Sequence, residues 1–153
     1  MFDFYRAATC VPPIKVGDTE YNLKSIQEKL EECSEYSPAV IAFPELALTG
    51  YCCQDLFLQD TLIKASNKAA AELIKSTIGR REVIIVGAPI KIDNNLFNGA
   101  LVMMNGRLLG VSIKTYIPNH GEFYEKRWFN SATELVADSY ETHDLGIMTE
   151  ESY

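Results

Sequence analysis

The sequence predicts an α/β fold in which a mixed β-sheet carries amphipathic helices on one face. Short apolar runs that are typical of buried strands alternate with two amphipathic helical patterns in the first part of the chain. The last two apolar runs are joined by Asn105-Gly106, the strongest short-range signal of a β-hairpin. The resulting order, β-α-β-α-β-β-β, combines parallel with antiparallel pairing and leaves the second face of the sheet without evident cover.

Five apolar runs are expected to form the strands. They cover residues 5–10, 39–43, 82–90, 96–104 and 108–114. The third run is a continuous β-branched stretch, which favours a strand at the centre of the sheet. Prolines follow the first two runs and mark where those strands end, because proline cannot continue a ladder of hydrogen bonds.

Two stretches have the apolar spacing of helices. Residues 18–34 carry apolar side chains three and four positions apart, which predicts an amphipathic helix with Asp18 or Thr19 as its N-cap. A second pattern, rich in Ala, Leu and Lys, covers residues 58–78 and ends at Gly79. Each helix is apolar on one side, so each is expected to pack that side against the sheet.

The composition is that of one soluble globular domain. The 153 residues are 47% hydrophobic and carry a formal net charge of −7. This charge opposes binding to nucleic acid or an anionic membrane, so a small molecule or another protein is the expected partner. No apolar run approaches the roughly 20 residues of a membrane span, and the N-terminus lacks the features of a signal peptide. We therefore expect a cytoplasmic protein.

The cysteines give no sign of a metal site. Cys10, Cys33, Cys52 and Cys53 do not have the spacing of zinc ligands. We expect reduced thiols, since the adjacent pair could bond only with strain. No metal-ligand motif or phosphate-binding loop is found, so no metal and no cofactor is expected in this domain.

Two charged residues stand where apolar strands end. Glu45 follows Pro44 after the second strand, and Lys114 closes the fifth. Neighbouring strands could bring this acid and amine together, which invites a role in proton transfer. On spacing alone, an ordinary ion pair at the rim of the sheet remains the alternative.

The chain beyond Lys114 changes in character. Residues 115–129 form a loop dense in aromatic and charged side chains, a composition that is common around binding sites. Residues 134–153 have little periodicity and are expected to be irregular or frayed.

Two long strings carry a family resemblance. They are FPELALTGYCCQDLF at residues 43–57 and KTYIPNHGEFYEKRWF at residues 114–129. Both resemble the nitrilase superfamily of Glu-Lys-Cys amidohydrolases, and specifically the glutaminase domain of glutamine-dependent NAD synthetases. The resemblance extends from the first strand to about Thr133. It implies half to two thirds of the α-β-β-α sandwich of that family, within a single partial domain over residues 1–153.

The resemblance implies roles for five residues. Glu45 corresponds to the general base, and Lys114 to the lysine that stabilises the tetrahedral intermediate. Glu122 matches a second glutamate near that lysine, and Tyr51 matches a tyrosine that closes the glutamine pocket. His120 departs from the family pattern, since several related synthetases carry a tyrosine there, and it could still donate a hydrogen bond in the pocket.

One departure from the family concerns the nucleophile. The family's cysteine follows a later strand, in a setting like Glu-Ile-Cys-Glu-Asp, whereas all four cysteines here precede Lys114. We therefore expect an incomplete site, without turnover by these residues alone, in the first part of a longer enzyme. The resemblance implies a further synthetase domain that uses ATP and Mg²⁺ to amidate deamido-NAD, and association into a homo-oligomer.

Two other functions remain open at this point. One is a free-standing nitrilase-type amidase or carbamoylase, which the two synthetase-like strings count against. The other is a non-catalytic assembly module whose uncovered sheet face pairs with another chain.

Overall fold

One mixed five-stranded sheet organises the molecule. The structure, a computed structural model, describes residues 4–137, 140–141 and 145–147. The strands lie in chain order: β1 (Ala7–Thr9), β2 (Val40–Ala42), β3 (Val83–Ile92), β4 (Asn95–Met104) and β5 (Arg107–Ile113). The first three are parallel, and β3, β4 and β5 are antiparallel. The predicted mixed sheet is confirmed, with β3 at its centre.

Both helices pack on the same face of the sheet, as predicted. They are α1 (Thr19–Ser34) and α2 (Asp60–Ser76). Asp18 is the N-cap of α1, and its Oδ1 accepts a hydrogen bond from the Tyr21 backbone N at 3.0 Å. Apolar residues of both helices join sheet residues such as Ile84 in one buried cluster. Among the described residues, no helix has the length and apolar character needed to cross a membrane.

The hairpin predicted at Asn105-Gly106 is present. These two residues have φ angles of 49° and 78°, and positive values at both positions are what a type I′ turn requires. The Gly106 backbone N donates to Thr77 Oγ1 at 2.8 Å, which holds the turn against the end of α2.

The face of the sheet that points away from the helices is partly uncovered. Val40, Ala42, Ile85 and Val102 are half-buried there, because side chains alternate between the two faces of a strand. A second, smaller apolar cluster includes Leu46, Phe57, Leu96 and Phe129. It packs beneath the loops that follow β2 and β5.

The expectation of reduced thiols is wrong for one pair of cysteines. The sulfur atoms of Cys10 and Cys33 are bonded to each other, whereas Cys52 and Cys53 are free. Cys10 follows β1, and Cys33 lies in the last turn of α1. The packing of α1 on the sheet brings the two together, and their separation along the chain gave no sign of it.

The end of the chain is described in part. Residues 138–139, 142–144 and 148–153, on which much of the expectation of a frayed segment falls, lie outside the described residues. Leu145 and Ile147 are buried against the main cluster, and Asn67 Nδ2 donates to the Leu145 backbone O at 3.1 Å. The short piece at residues 145–147 is therefore packed against the main cluster, and the expectation for the rest of the segment stays a prediction.

Candidate functional site

Glu45 lies on a tight turn directly after β2. The Phe43 backbone N still pairs with Ile85 O at 2.8 Å, and Pro44 then ends the strand. Leu46 has a φ of 52°, a left-handed conformation that is uncommon for a residue other than glycine. The backbone N of Gly50 donates to the Leu46 backbone O at 2.7 Å and closes the turn.

Gly87 on β3 allows this turn to lie directly on the sheet. A Cβ atom at position 87 would be 2.3 Å from the Leu46 backbone N and 2.7 Å from the Glu45 Cα. Both distances are far shorter than van der Waals contact, and both involve backbone atoms that cannot rotate away. The position of Glu45 therefore depends on the absence of a side chain at Gly87.

Lys114 follows β5 and lies beside Asn98 on β4. The Lys114 backbone N donates to the Asn98 backbone O at 2.8 Å. Phe97 belongs to the cluster under the helices, so the alternation of the strand turns Asn98 to the opposite face. There the buried Asn98 side chain donates from Nδ2 to Glu45 Oε1. The site thus lies on the side of the sheet away from the helices.

The Lys114 ammonium lies between two carboxylates. Lys114 Nζ is 2.6 Å from Glu45 Oε1 and 3.0 Å from Glu125 Oε2. The Tyr51 hydroxyl donates at 2.6 Å to Glu125 Oε1, an oxygen that also accepts a hydrogen bond from Lys114 Nζ at 3.2 Å. The exposed fraction of the side chain is 4% for Glu125, 29% for Lys114 and 42% for Glu45. Glu45 is therefore the carboxylate that a ligand could reach.

The two titratable donors in this network, Lys114 and Tyr51, remain protonated at neutral pH. Burial alone would lower the pKa of Lys114, but hydrogen bonds and opposite charges from Glu45 and Glu125 outweigh it, and the pKa is raised. Burial and the hydrogen bond to Glu125 raise the pKa of Tyr51. The site therefore offers a fixed ammonium and a fixed hydroxyl beside an accessible carboxylate.

Glu45, Lys114 and Tyr51, which stand in the two strings, lie in one network. The other two predicted residues, His120 and Glu122, lie outside it. His120 is exposed and lines an open groove that also includes Lys114. Glu122 is exposed, and no hydrogen bond or ion pair joins it to Lys114 among the described residues. The place beside the lysine, which the sequence interpretation assigned to Glu122, is occupied by Glu125.

Sequence reasoning missed three residues that shape the site: Asn98, Gly87 and Glu125. Glu125 stands three positions after Glu122 in the same string and begins the 3₁₀ turn Glu125–Arg127. The Glu125 backbone N donates to the Pro118 backbone O at 3.2 Å, which turns this residue inward. No local pattern distinguishes the two glutamates, since the difference lies in how the loop folds back.

Neither free cysteine forms part of the network. Cys53 is buried, and its thiol donates to the Thr49 backbone O at 3.1 Å. Burial raises the pKa of Cys53, which disfavours the reactive thiolate. Cys52 is exposed on the neighbouring turn. Within the part of the chain that the structure describes, no group of three or more His, Cys, Asp or Glu side chains could hold a metal ion.

The family follows from a comparison over nearly the whole chain. Residues 6–149 match the carbon-nitrogen hydrolase family. The chain belongs to the carbon-nitrogen hydrolase family. Its fold agrees, since the crystal structure of a glutamine-dependent NAD(+) synthetase from Cytophaga hutchinsonii superposes with a TM-score of 0.78 at 30% identity. That match covers 83% of this chain and 22% of the other.

Two further relatives are glutamine-dependent NAD(+) synthetases. The glutamine-dependent NAD(+) synthetase of Mycobacterium tuberculosis is 36% identical over 124 residues, which are 81% of this chain and 18% of that protein. The synthetase of Aquifex aeolicus is 38% identical over 130 residues, which are 85% of this chain and 23% of that protein. The chain thus spans about a fifth of the length of these relatives.

Proposed function

We propose that this chain contributes the acid and amine half of a glutaminase site in a glutamine-dependent NAD synthetase. The observation that carries the proposal is the Lys114 ammonium held between Glu45 and Glu125. These residues come from the two strings that resemble synthetase glutaminase domains, and both relatives described above are named as such synthetases. Glutamine is accordingly the proposed substrate.

Each residue has a role that fits its surroundings. Glu45, the accessible carboxylate, takes the proton of an attacking thiol and later returns it to the departing ammonia. Lys114 stabilises the negative charge that develops on the amide oxygen. Glu125 and Asn98 hold these two groups in place, and Tyr51 and His120 are proposed to contact the substrate. Glu122, whose side chain is exposed, is proposed to help orient the amide of the substrate.

The nucleophilic thiol is proposed to lie outside these 153 residues. Cys10 and Cys33 are bonded to each other, Cys53 is buried, and Cys52 is not in contact with Glu45 through any hydrogen bond among the described residues. The chain by itself is therefore proposed not to turn over glutamine. In the longer enzyme, a synthetase domain with ATP and Mg²⁺ would consume the ammonia to amidate deamido-NAD. Assembly into a homo-oligomer and a cytoplasmic location are part of the same proposal.

Glutamine binding to the chain tests the substrate class. NMR spectra of the chain with lysine side chains labelled are expected to show a glutamine-dependent shift of the Lys114 signal. Because Lys114→Ala has no such signal, its loss of glutamine binding should be measured by isothermal titration calorimetry. Lys91→Ala is the matched control, because Lys91 also pairs with a carboxylate, Asp60 at 2.7 Å, but lies away from the site. This control should bind glutamine as the unmodified chain does.

The alternatives predict different results in the same titration. An amidase or carbamoylase would respond to a simple aliphatic amide or an N-carbamoyl amino acid and not to glutamine. An assembly module would respond to none of these at millimolar concentration. Release of glutamate by the purified chain, abolished by Lys114→Ala, would refute the statement that the nucleophile lies elsewhere.

A further inference from the structure

The two synthetase-like strings contact each other at a second point, outside the proton-transfer network. Arg127 donates to both carboxylate oxygens of Asp55, from Nε at 2.7 Å and from a terminal nitrogen at 2.8 Å. Trp128 Nε1 donates to Asp55 Oδ1 at 2.9 Å. A guanidinium that engages both oxygens of a carboxylate fixes the relative orientation of two segments better than a single hydrogen bond does.

This contact joins the two segments that hold Tyr51 and Glu125. Asp55 lies four residues after Tyr51 in the 3₁₀ segment Tyr51–Leu58, and Arg127 lies two residues after Glu125. Between Tyr51 and Asp55, Gln54 has a φ of 50° and a ψ of −131°. A non-glycine residue adopts this conformation only when its surroundings enforce it. The strained residue immediately precedes the carboxylate that makes the contact.

The exposure of the contact shows that it is not primarily a source of stability. The side chains of Asp55 and Arg127 are 60% and 56% exposed. Ion pairs this exposed to water contribute little to the free energy of folding. The residues beneath, Phe57 and Phe129, already pack ring against ring at 4.9 Å. What the exposed pair adds is the orientation of one segment relative to the other.

We propose that Asp55 and Arg127 are positioning residues that hold Glu125 against Lys114. Neither touches the reacting groups. They act by fixing the segment from Glu125 to Arg127 relative to the segment that begins at Tyr51, so that the Tyr51 hydroxyl and the Lys114 ammonium both reach the Glu125 carboxylate. The importance of this arrangement for catalysis rests on the proposed function, whereas the test below requires no turnover.

The pKa of Lys114 distinguishes positioning from a direct effect of charge. Removing a nearby negative charge lowers the pKa of a lysine, and removing a nearby positive charge raises it. A direct effect therefore predicts opposite shifts for Asp55→Asn and Arg127→Gln. Positioning predicts that both variants lower the pKa of Lys114, because both withdraw the Glu125 carboxylate. A fall of about 1 unit is expected, the lower end of what an adjacent opposite charge confers.

The measurement is the pH profile of trace acetylation of Lys114 in the full chain, quantified by mass spectrometry relative to Lys24, whose side chain is 78% exposed. The profile yields the pKa separately from the limiting rate, which reports accessibility. Asp60→Asn, which breaks the exposed pair with Lys91, is the matched control and should leave the pKa of Lys114 unchanged. Arg127→Lys keeps the charge but loses the two-pronged geometry, so it should lower the pKa as Arg127→Gln does.

Shifts of opposite sign in Asp55→Asn and Arg127→Gln would overturn the proposal, and so would an unchanged pKa in both. Should either variant unfold, Arg127→Lys supplies the same comparison with a milder change. Failure of glutamine to bind would count against the proposed function and not against the positioning contact, because the acetylation of Lys114 is measured without substrate.

Discussion

Replacing Gly87 with alanine is expected to separate Glu45 from Lys114. The added Cβ would lie 2.3 Å from the Leu46 backbone N and 2.6 Å from the Pro44 backbone O. Ordinary contact begins near 3.4 Å, so the turn must rise by about 1 Å. The distance from Glu45 Oε1 to Lys114 Nζ, now 2.6 Å, would then approach ~3.6 Å, beyond the range of a hydrogen bond.

The expected cost in stability follows from the same geometry. Forcing a methyl group into a well-packed interior costs typically about 1–3 kcal/mol, and here the neighbours are backbone atoms that cannot change rotamer. Gly87→Ala should therefore reduce the free energy of unfolding and lower the pKa of Lys114 together.

Urea unfolding and the acetylation profile of Lys114 measure these two effects. Gly110→Ala is the matched control, because Gly110 is also in a strand of the same sheet and nothing lies within 4 Å of the Cβ it would gain. The control should unfold within about 1 kcal/mol of the unmodified chain and leave the pKa of Lys114 unchanged. If Gly87→Ala behaves as Gly110→Ala does, the close approach of the turn to β3 does not position Glu45.

Three further predictions concern the network itself. Asn98→Leu should lower the free energy of unfolding by about 1–3 kcal/mol in urea titrations, because it removes the buried donor to Glu45; an unchanged urea midpoint would contradict this. Glu125→Gln should lower the pKa of Lys114 in the acetylation profile, and Glu122→Gln should not, since of these two glutamates Glu125 is the one that contacts the ammonium. Equal shifts would show that both glutamates act on it. The raised pKa of Lys114 stabilises the folded state fully below the unfolded value near 10.5, and this stabilisation is lost as the pH rises through the folded pKa. Urea midpoints above about pH 10 should therefore fall less steeply in Lys114→Met than in the unmodified chain.

The parts of the site that could be predicted from the sequence are those fixed by strand ends. Glu45 and Lys114 each follow an apolar run, and a strand that stops at a proline or at a loop presents its next side chain at the edge of the sheet. The two amphipathic helices and the Asn105-Gly106 turn could also be predicted from the sequence, because each depends on a local pattern.

The parts that could not be predicted depend on contacts between distant segments. Gly87 is one glycine within an apolar strand, and its importance appears only when the Glu45 turn lies on it. The Cys10–Cys33 bond depends on how α1 crosses the sheet. Asp55 and Arg127 stand in two recognisable strings, but their pairing requires the loop after β5 to return to the segment after β2.

The side of the sheet on which Lys114 lies is decided by one irregularity in the hairpin. In the hairpin, Met104 pairs with Arg107. If this register continued without a shift, Lys114 would pair with Phe97 and lie on the face covered by the helices. The pairing instead shifts by one residue between Val102 and Met103, so that Gly99 pairs with Ile113 and Lys114 lies beside Asn98.

A one-residue shift moves every later side chain of a strand to the other face. The apolar positions of β5 are consistent with this bulge, since Leu108 and Val111 pack against the same cluster although they are three residues apart, where an uninterrupted strand would require an even spacing. The bulge therefore does two things at once. It keeps Val111 and Ile113 packed against the core, and it places the Lys114 ammonium on the face where Glu45 and Glu125 lie.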